Sequence, residues 1–134
     1  MLLLMDNRFD LTKPAQNPNE EISSLLEEWN DIKVDLEECY NKRDQAKTLI
    51  NMKKGIELFQ HLMFLTNEKP IILIEHIEWN LLEYKPVNIT ERFAFIKSMP
   101  NLFHSFRQLS ELMVEQEKQF MKKNSMKKAS KPNG

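Results

Sequence analysis

Residues 66–106 read TNEKPIILIEHIEWNLLEYKPVNITERFAFIKSMPNLFHSF, and we expect the fold to be organised around the apolar run near the start of this stretch. From 70 to 82 the run is interrupted at only four polar positions, Glu75, His76, Glu78 and Asn80. In a helix, apolar side chains would surround most of the cylinder, which is typical of a helix packed on several sides. The sequence therefore predicts a largely buried central helix over residues 70–84, beginning at Pro70 and ending before Pro86.

The composition is that of an all-α protein. Leu, Glu, Lys and Met are abundant, and only two of the 134 residues are glycine. The alternation of apolar and polar residues that is typical of strands is absent. Because a chain of this length buries one hydrophobic core, we expect a single compact bundle of about five helices around the central helix.

Amphipathic periodicity and helix-terminating residues predict the other four helices. The first two span about 20–40 and 43–66, the fourth begins at Ile89, and the last runs from between Asn101 and Phe103 to about 121. Gly55 could bend the second helix, because glycine is unfavourable inside a helix.

Three segments differ in composition. They are an N-terminal arm with two prolines (1–18), the helical domain (19–121), and a basic tail of lysine and small residues (122–134). We expect the arm to be extended, because it contains the two prolines and a polar run over 12–19, and the tail to be disordered, because the apolar pattern stops beyond Lys122.

Charge is unevenly distributed, although the net charge is −1. Residues 20–40 contain eight acidic residues and one basic residue (−7), and residues 42–54 contain five basic and one acidic (+4). The tail adds five lysines and no acidic residue (+5). One interpretation is that the first two helices lie side by side and partly neutralise each other; the other is a dedicated binding surface.

The single cysteine, Cys39, can form no intramolecular disulfide, which fits a reducing compartment. The apolar run from Met1 to Met5 is too short for a signal peptide or a membrane span, and no other segment reaches the length required. We therefore expect a cytoplasmic protein without membrane insertion.

Residues that could carry catalysis or bind a cofactor or metal are few. Glu57 and His61 are one helical turn apart, but a helical di-metal site needs further Glu-x-x-His pairs. His76 next to Glu75 is typical of a core histidine, and Cys39 lies among acidic residues that disfavour a thiolate. We expect no catalytic, cofactor-binding or metal-binding residue, and hence no enzyme.

The most suggestive polar residues precede and follow the fourth helix. Our candidate interaction site consists of Lys85, Asn88, Arg92, His104, Arg107 and Gln108. If the last two helices pack as a hairpin, these side chains could converge near one end and meet a phosphate or an acidic side chain. The alternative is structural: Asn88 and Glu91 form a capping box, Arg92 pairs with a neighbouring helix, and His104 satisfies open amides.

Several short sequence motifs follow one another along the chain: GI at 55–56, TNEKP at 66–70, KPVN at 85–88, ER at 91–92 and FHSF at 103–106. Together they resemble the YpoC-like family of small bacterial proteins from Bacillota, over about residues 20–121. The resemblance implies an uncharacterised, helical, cytoplasmic protein with no assigned activity to carry over.

These features together favour a non-enzymatic protein–protein interaction or adaptor module with another cytoplasmic protein as its partner. The alternative is an accessory nucleic-acid-associated protein that uses its basic C-terminal tail. Without that tail the remaining 121 residues carry a net charge of −6, which opposes a broad nucleic-acid-binding face. Nucleic-acid contact would then be weak and salt-sensitive.

Overall fold

The structure is a computed structural model that describes residues 18–69 and 77–130. Its elements are α1 (Pro18–Lys42), α2 (Gln45–Asn67), a short 3-10 helix (Trp79–Leu81), α3 (Ile89–Ser98) and α4 (Phe103–Ser130). The all-α prediction is confirmed, since the described residues contain no strand, but they form four α-helices rather than about five. The predicted N-terminal arm lies almost wholly outside these residues.

Helices α1 and α2 form an antiparallel hairpin with a tight turn. Asp44 ends the turn and caps α2, because its Oδ1 accepts a hydrogen bond from the Lys47 amide at 3.1 Å. Arg43 adopts the left-handed conformation (φ 56°) that commonly follows a helix. α2 runs through Gly55 without ending, and this glycine lies where Trp29 of α1 and Leu109 of α4 come together.

The helix buried on most sides is α2. It packs against both α1 and α4, and fully buried side chains from these helices and α3 form the core: Leu25, Leu36, Met52, Phe59, Leu62, Met63, Ile96, Leu109, Leu112 and Met113. The prediction of a central helix over 70–84 is therefore not confirmed. Residues 70–76 lie outside the described part of the chain, and residues 77–84 contain only the 3-10 turn.

Residues 77–88 do not form an α-helix. Side-chain hydrogen bonds to the backbone fix their conformation instead. The Asn67 side chain bonds both the amide and the carbonyl of Tyr84, at 2.8 and 2.9 Å. The Tyr84 carbonyl also accepts from Gln116 of α4 at 2.9 Å. Apolar periodicity within the segment cannot reveal such partners. Leu81, which the periodicity predicts inside a buried helix, is 72% exposed.

The pairs of contacting residues define the helix directions. α2 and α4 are parallel, since Gly55 lies near Leu109 and the Thr66 carbonyl accepts from Lys123. α3 packs antiparallel to α4, with the Phe95 ring 5.4 Å from that of His104.

α4 continues to Ser130, well past the predicted end near residue 121. Lys123, expected in a disordered tail, donates to the Thr66 carbonyl at 2.5 Å and to Glu68 Oε2 at 2.8 Å. Its ammonium thereby satisfies a carbonyl in the last turn of α2. Of the helices described over 18–69 and 77–130, none combines the length and apolarity needed to cross a lipid bilayer.

Candidate interaction site

Arg92 of α3, a residue of the predicted site, forms hydrogen bonds to side chains of α4. Its Nη1 and Nη2 donate to the two carboxylate oxygens of Glu115 at 2.9 and 2.6 Å, and its Nε donates to Gln108 Oε1 at 3.2 Å. The side chain is 20% exposed, and the hydrogen bond with Glu115 raises the pKa of the guanidinium above its ordinary value. Arg92 and Gln108 therefore join two helices, as our structural alternative for Arg92 predicted.

Lys85 and Asn88 shape the backbone before α3. Lys85 Nζ donates to the carbonyls of Trp79 and Leu82 at 3.1 and 2.8 Å. α3 begins at Ile89 as predicted, but the capping box is wrong. Asn88 is in the left-handed conformation (φ 56°, ψ 34°) and its side chain makes no capping hydrogen bond, because this backbone geometry points it away from the first turn.

The six predicted residues do not converge near one end of the hairpin. Gln119 of α4 donates to the Lys85 carbonyl at 3.3 Å, whereas His104 lies fifteen residues earlier on the same helix. At the rise of an α-helix, that separation is about 22 Å. His104 and Arg107 are exposed near the start of α4, so they are separate from the Lys85 end of the site.

A group of exposed apolar side chains lies beside His104. Met99 and Leu102 of the connection between α3 and α4, and Phe103 at the start of α4, are 49%, 43% and 53% exposed, and we call them the apolar tip. The sequence pattern did not predict that these three side chains are exposed together. The available signal was Pro100, which ends α3 and forces neighbouring apolar residues into a short turn that cannot bury them all.

Contacts from α1 fix the conformation of the apolar tip. The single proton of the Tyr40 hydroxyl is shared between the carbonyl oxygens of Asn101 and Leu102, which lie 3.1 and 3.0 Å from the hydroxyl oxygen. The Tyr40 ring meets that of Phe103 edge-on, with centroids 5.2 Å apart. Burial, with a smaller effect of Cys39, raises the pKa of Tyr40 to about 12, so the hydroxyl remains a donor at neutral pH.

The remaining chemical candidates are placed as follows. His61 is buried in α2, and burial lowers its pKa, so its imidazole is neutral at pH 7. Cys39 is buried, and its sulfur accepts a hydrogen bond from Asn51 Nδ2 at 3.8 Å. His76 lies outside the described residues. Within 18–69 and 77–130, His, Cys, Asp and Glu side chains form no group of three or more that could hold a metal ion.

Comparison with known proteins gives one family. The family model described as YpoC-like protein matches residues 19–128. Uncharacterized protein YpoC from Bacillus subtilis (strain 168) is 31% identical over 115 residues, which are 84% of this chain and 70% of that protein. No solved structure matches the chain.

Proposed function

The chain belongs to the YpoC-like family, and on that premise we propose that it is a non-enzymatic protein–protein interaction module of the cytoplasm. The observation that carries this proposal is the apolar tip. Three large apolar side chains are exposed where α3 is joined to α4, and surface patches of this kind are typical of protein-binding sites. Binding a partner there would remove Met99, Leu102 and Phe103 from water.

The order of the apolar tip supports a binding role. Tyr40 holds two successive carbonyls of the connection, and Ser105 Oγ donates to the Met99 carbonyl at 2.6 Å. A surface that is already ordered loses less conformational entropy when it binds. His104 and Arg107, the exposed members of the predicted site, adjoin the tip and would provide polar contacts at its rim.

The second candidate function is nucleic-acid association through the end of α4. Five lysines and no acidic residue lie between residues 118 and 128, in a segment that is helical rather than disordered. Such a segment could contact phosphates without reading a sequence. The acidic character of the rest of the chain makes this the weaker candidate.

Affinity capture with and without nuclease tests both candidates. The tagged chain and a variant with Met99→Ser and Phe103→Ser are used to capture proteins from the native cytoplasm, and each sample is divided into nuclease-treated and untreated halves. We expect a protein that is retained after nuclease treatment by the unaltered chain and lost from the variant. A control with Leu81→Ser and Val87→Ser, which are 72% and 73% exposed and lie outside the tip, should retain that protein.

Two results would overturn the proposal. Equal capture by the tip variant and the control would show that the tip is not the binding surface. Loss of every partner on nuclease treatment would favour the nucleic-acid candidate. Far-ultraviolet circular dichroism of both variants establishes that the helices remain folded.

A further inference from the structure

We propose that a second surface, separate from the apolar tip, joins two copies of this chain: the outer face of α4 in one copy docks on the outer face of α1 in another. The outer face of α4 consists of the exposed residues Val114, Glu117, Lys118, Met121, Lys122 and Ser125. The outer face of α1 consists of the exposed residues Glu27, Asp31, Val34 and Glu38.

Both faces are continuous stripes on the side of the helix that faces solvent. On α1 the members follow one another at intervals of four, three and four residues, and the same intervals link Val114, Lys118, Met121 and Ser125 on α4. This spacing places each set along one face of a helix. Each stripe spans twelve residues, which is about 16 Å from the first α-carbon to the last, so the two faces match in length.

The two faces have complementary charge. The α1 face carries three acidic side chains, Glu27, Asp31 and Glu38, whereas the α4 face carries two lysines, Lys118 and Lys122, and one acidic side chain, Glu117. Within the described part of the chain, Glu27, Asp31, Lys118 and Lys122 form no ion pair, so their charges are available to a partner. Glu38 is paired with Lys42 of its own helix at 2.7 Å and contributes less.

Each face also has an exposed apolar centre. Val34 is 62% exposed between Asp31 and Glu38, and Met121 is 59% exposed between Lys118 and Lys122. Charged pairs around a central apolar contact are the usual arrangement of a protein interface. Nucleic acid would satisfy only the lysines, whereas the α1 face of a second copy would also cover Met121 and Val114.

Charge reversal tests this interface in the full-length chain. Sedimentation equilibrium at an ionic strength of about 10 mM, where screening is weak, should show self-association that weakens in about 1 M salt. Glu27→Lys with Asp31→Lys, or Lys118→Glu with Lys122→Glu, should each weaken self-association at least about tenfold. A control with Lys53→Glu and Lys54→Glu, two exposed residues of α2, should behave as the unaltered chain.

Mixing the two reversed variants distinguishes this interface from loss of folding. Each variant alone places like charges together, but a mixture restores opposite charges between copies, so the mixture should associate. An unaltered chain that stays monomeric at low ionic strength, or a mixture that stays monomeric, overturns the proposal. So does binding of a DNA duplex or an anionic vesicle that requires Lys118 and Lys122 while the chain remains monomeric.

Discussion

Gly55 of α2 lies against the indole of Trp29 in α1: a β-carbon built on the glycine would sit 2.8 Å from Trp29 Cζ3. The same β-carbon would lie 3.0 Å from Leu109 Cδ2 of α4. Favourable contacts between carbon atoms are about 3.5–4.0 Å, so only a residue without a side chain allows the three helices to pack this closely.

Gly55→Ala should therefore destabilise the protein, although alanine is the better helix former by about 1 kcal/mol. Overpacking of a filled core costs about 1–3 kcal/mol, so after the gain in helix propensity we expect a net loss of up to about 2 kcal/mol in the free energy of unfolding, measured with urea. The loss should be smaller when Trp29→Phe is also present, because the smaller ring leaves room for the methyl group. A Gly55→Ala variant that is more stable than the original chain would contradict this packing.

The ion pair between Arg92 and Glu115 should be measurable as a coupling between α3 and α4. We expect Arg92→Ala and Glu115→Ala each to lower stability, and a double-mutant cycle to give a coupling of about 1 kcal/mol at low salt. Arg92→Lys should recover less than half of it, because lysine cannot make two parallel hydrogen bonds to the carboxylate. A coupling of zero in urea unfolding would show that the pair does not join the helices in solution.

His61 should make stability depend on pH. Burial lowers its pKa in the folded protein below the ordinary value of 6.5. As the pH falls below about 6.5, the unfolded chain binds a proton that the folded chain does not, so stability is lost until the pH passes the folded-state pKa. His61→Leu should reduce the loss of stability between about pH 7.5 and pH 5.5. Thermal unfolding across this range checks the difference.

Lys123 should hold the last turns of α4 against the end of α2. Lys123→Met keeps the length of the side chain but removes both hydrogen bonds, and we expect a loss of about 1–2 kcal/mol. Amide hydrogen exchange should accelerate in α4 beyond Gln119. Lys122→Met alters an exposed neighbour, so equal exchange in the two variants would contradict the role of Lys123.

The parts of the fold that were predictable depend on local signals. Apolar spacing along α1, the turn before Asp44, the start of α3 at Ile89 and the break at Pro100 are all written in residues close to the element they define. The family resemblance also depends on local signals, since it rests on short motifs in the sequence, and the family-model match confirms it.

The features that escaped prediction depend on residues far apart in the chain. The C-terminal part of α4 lacks apolar periodicity, but Lys123 finds the Thr66 carbonyl 57 residues away. Tyr84 is held by Asn67 and Gln116, which periodicity within 70–84 cannot reveal. At the predicted site, Arg92 had a structural partner in Glu115, whereas the exposure of Phe103 became visible only once both helices were placed.

The parallel arrangement of α2 and α4 has a consequence for the order of folding. The antiparallel hairpin of α1 and α2 closes through a turn of two residues, and it leaves the ribosome before the rest of the core. Residues 68–102 separate the end of α2 from the start of α4, so the contacts of α4 with α2 close a much longer loop. Such topology favours a hairpin that forms early and whose apolar α2 surface stays exposed to solvent until α4 has been synthesised.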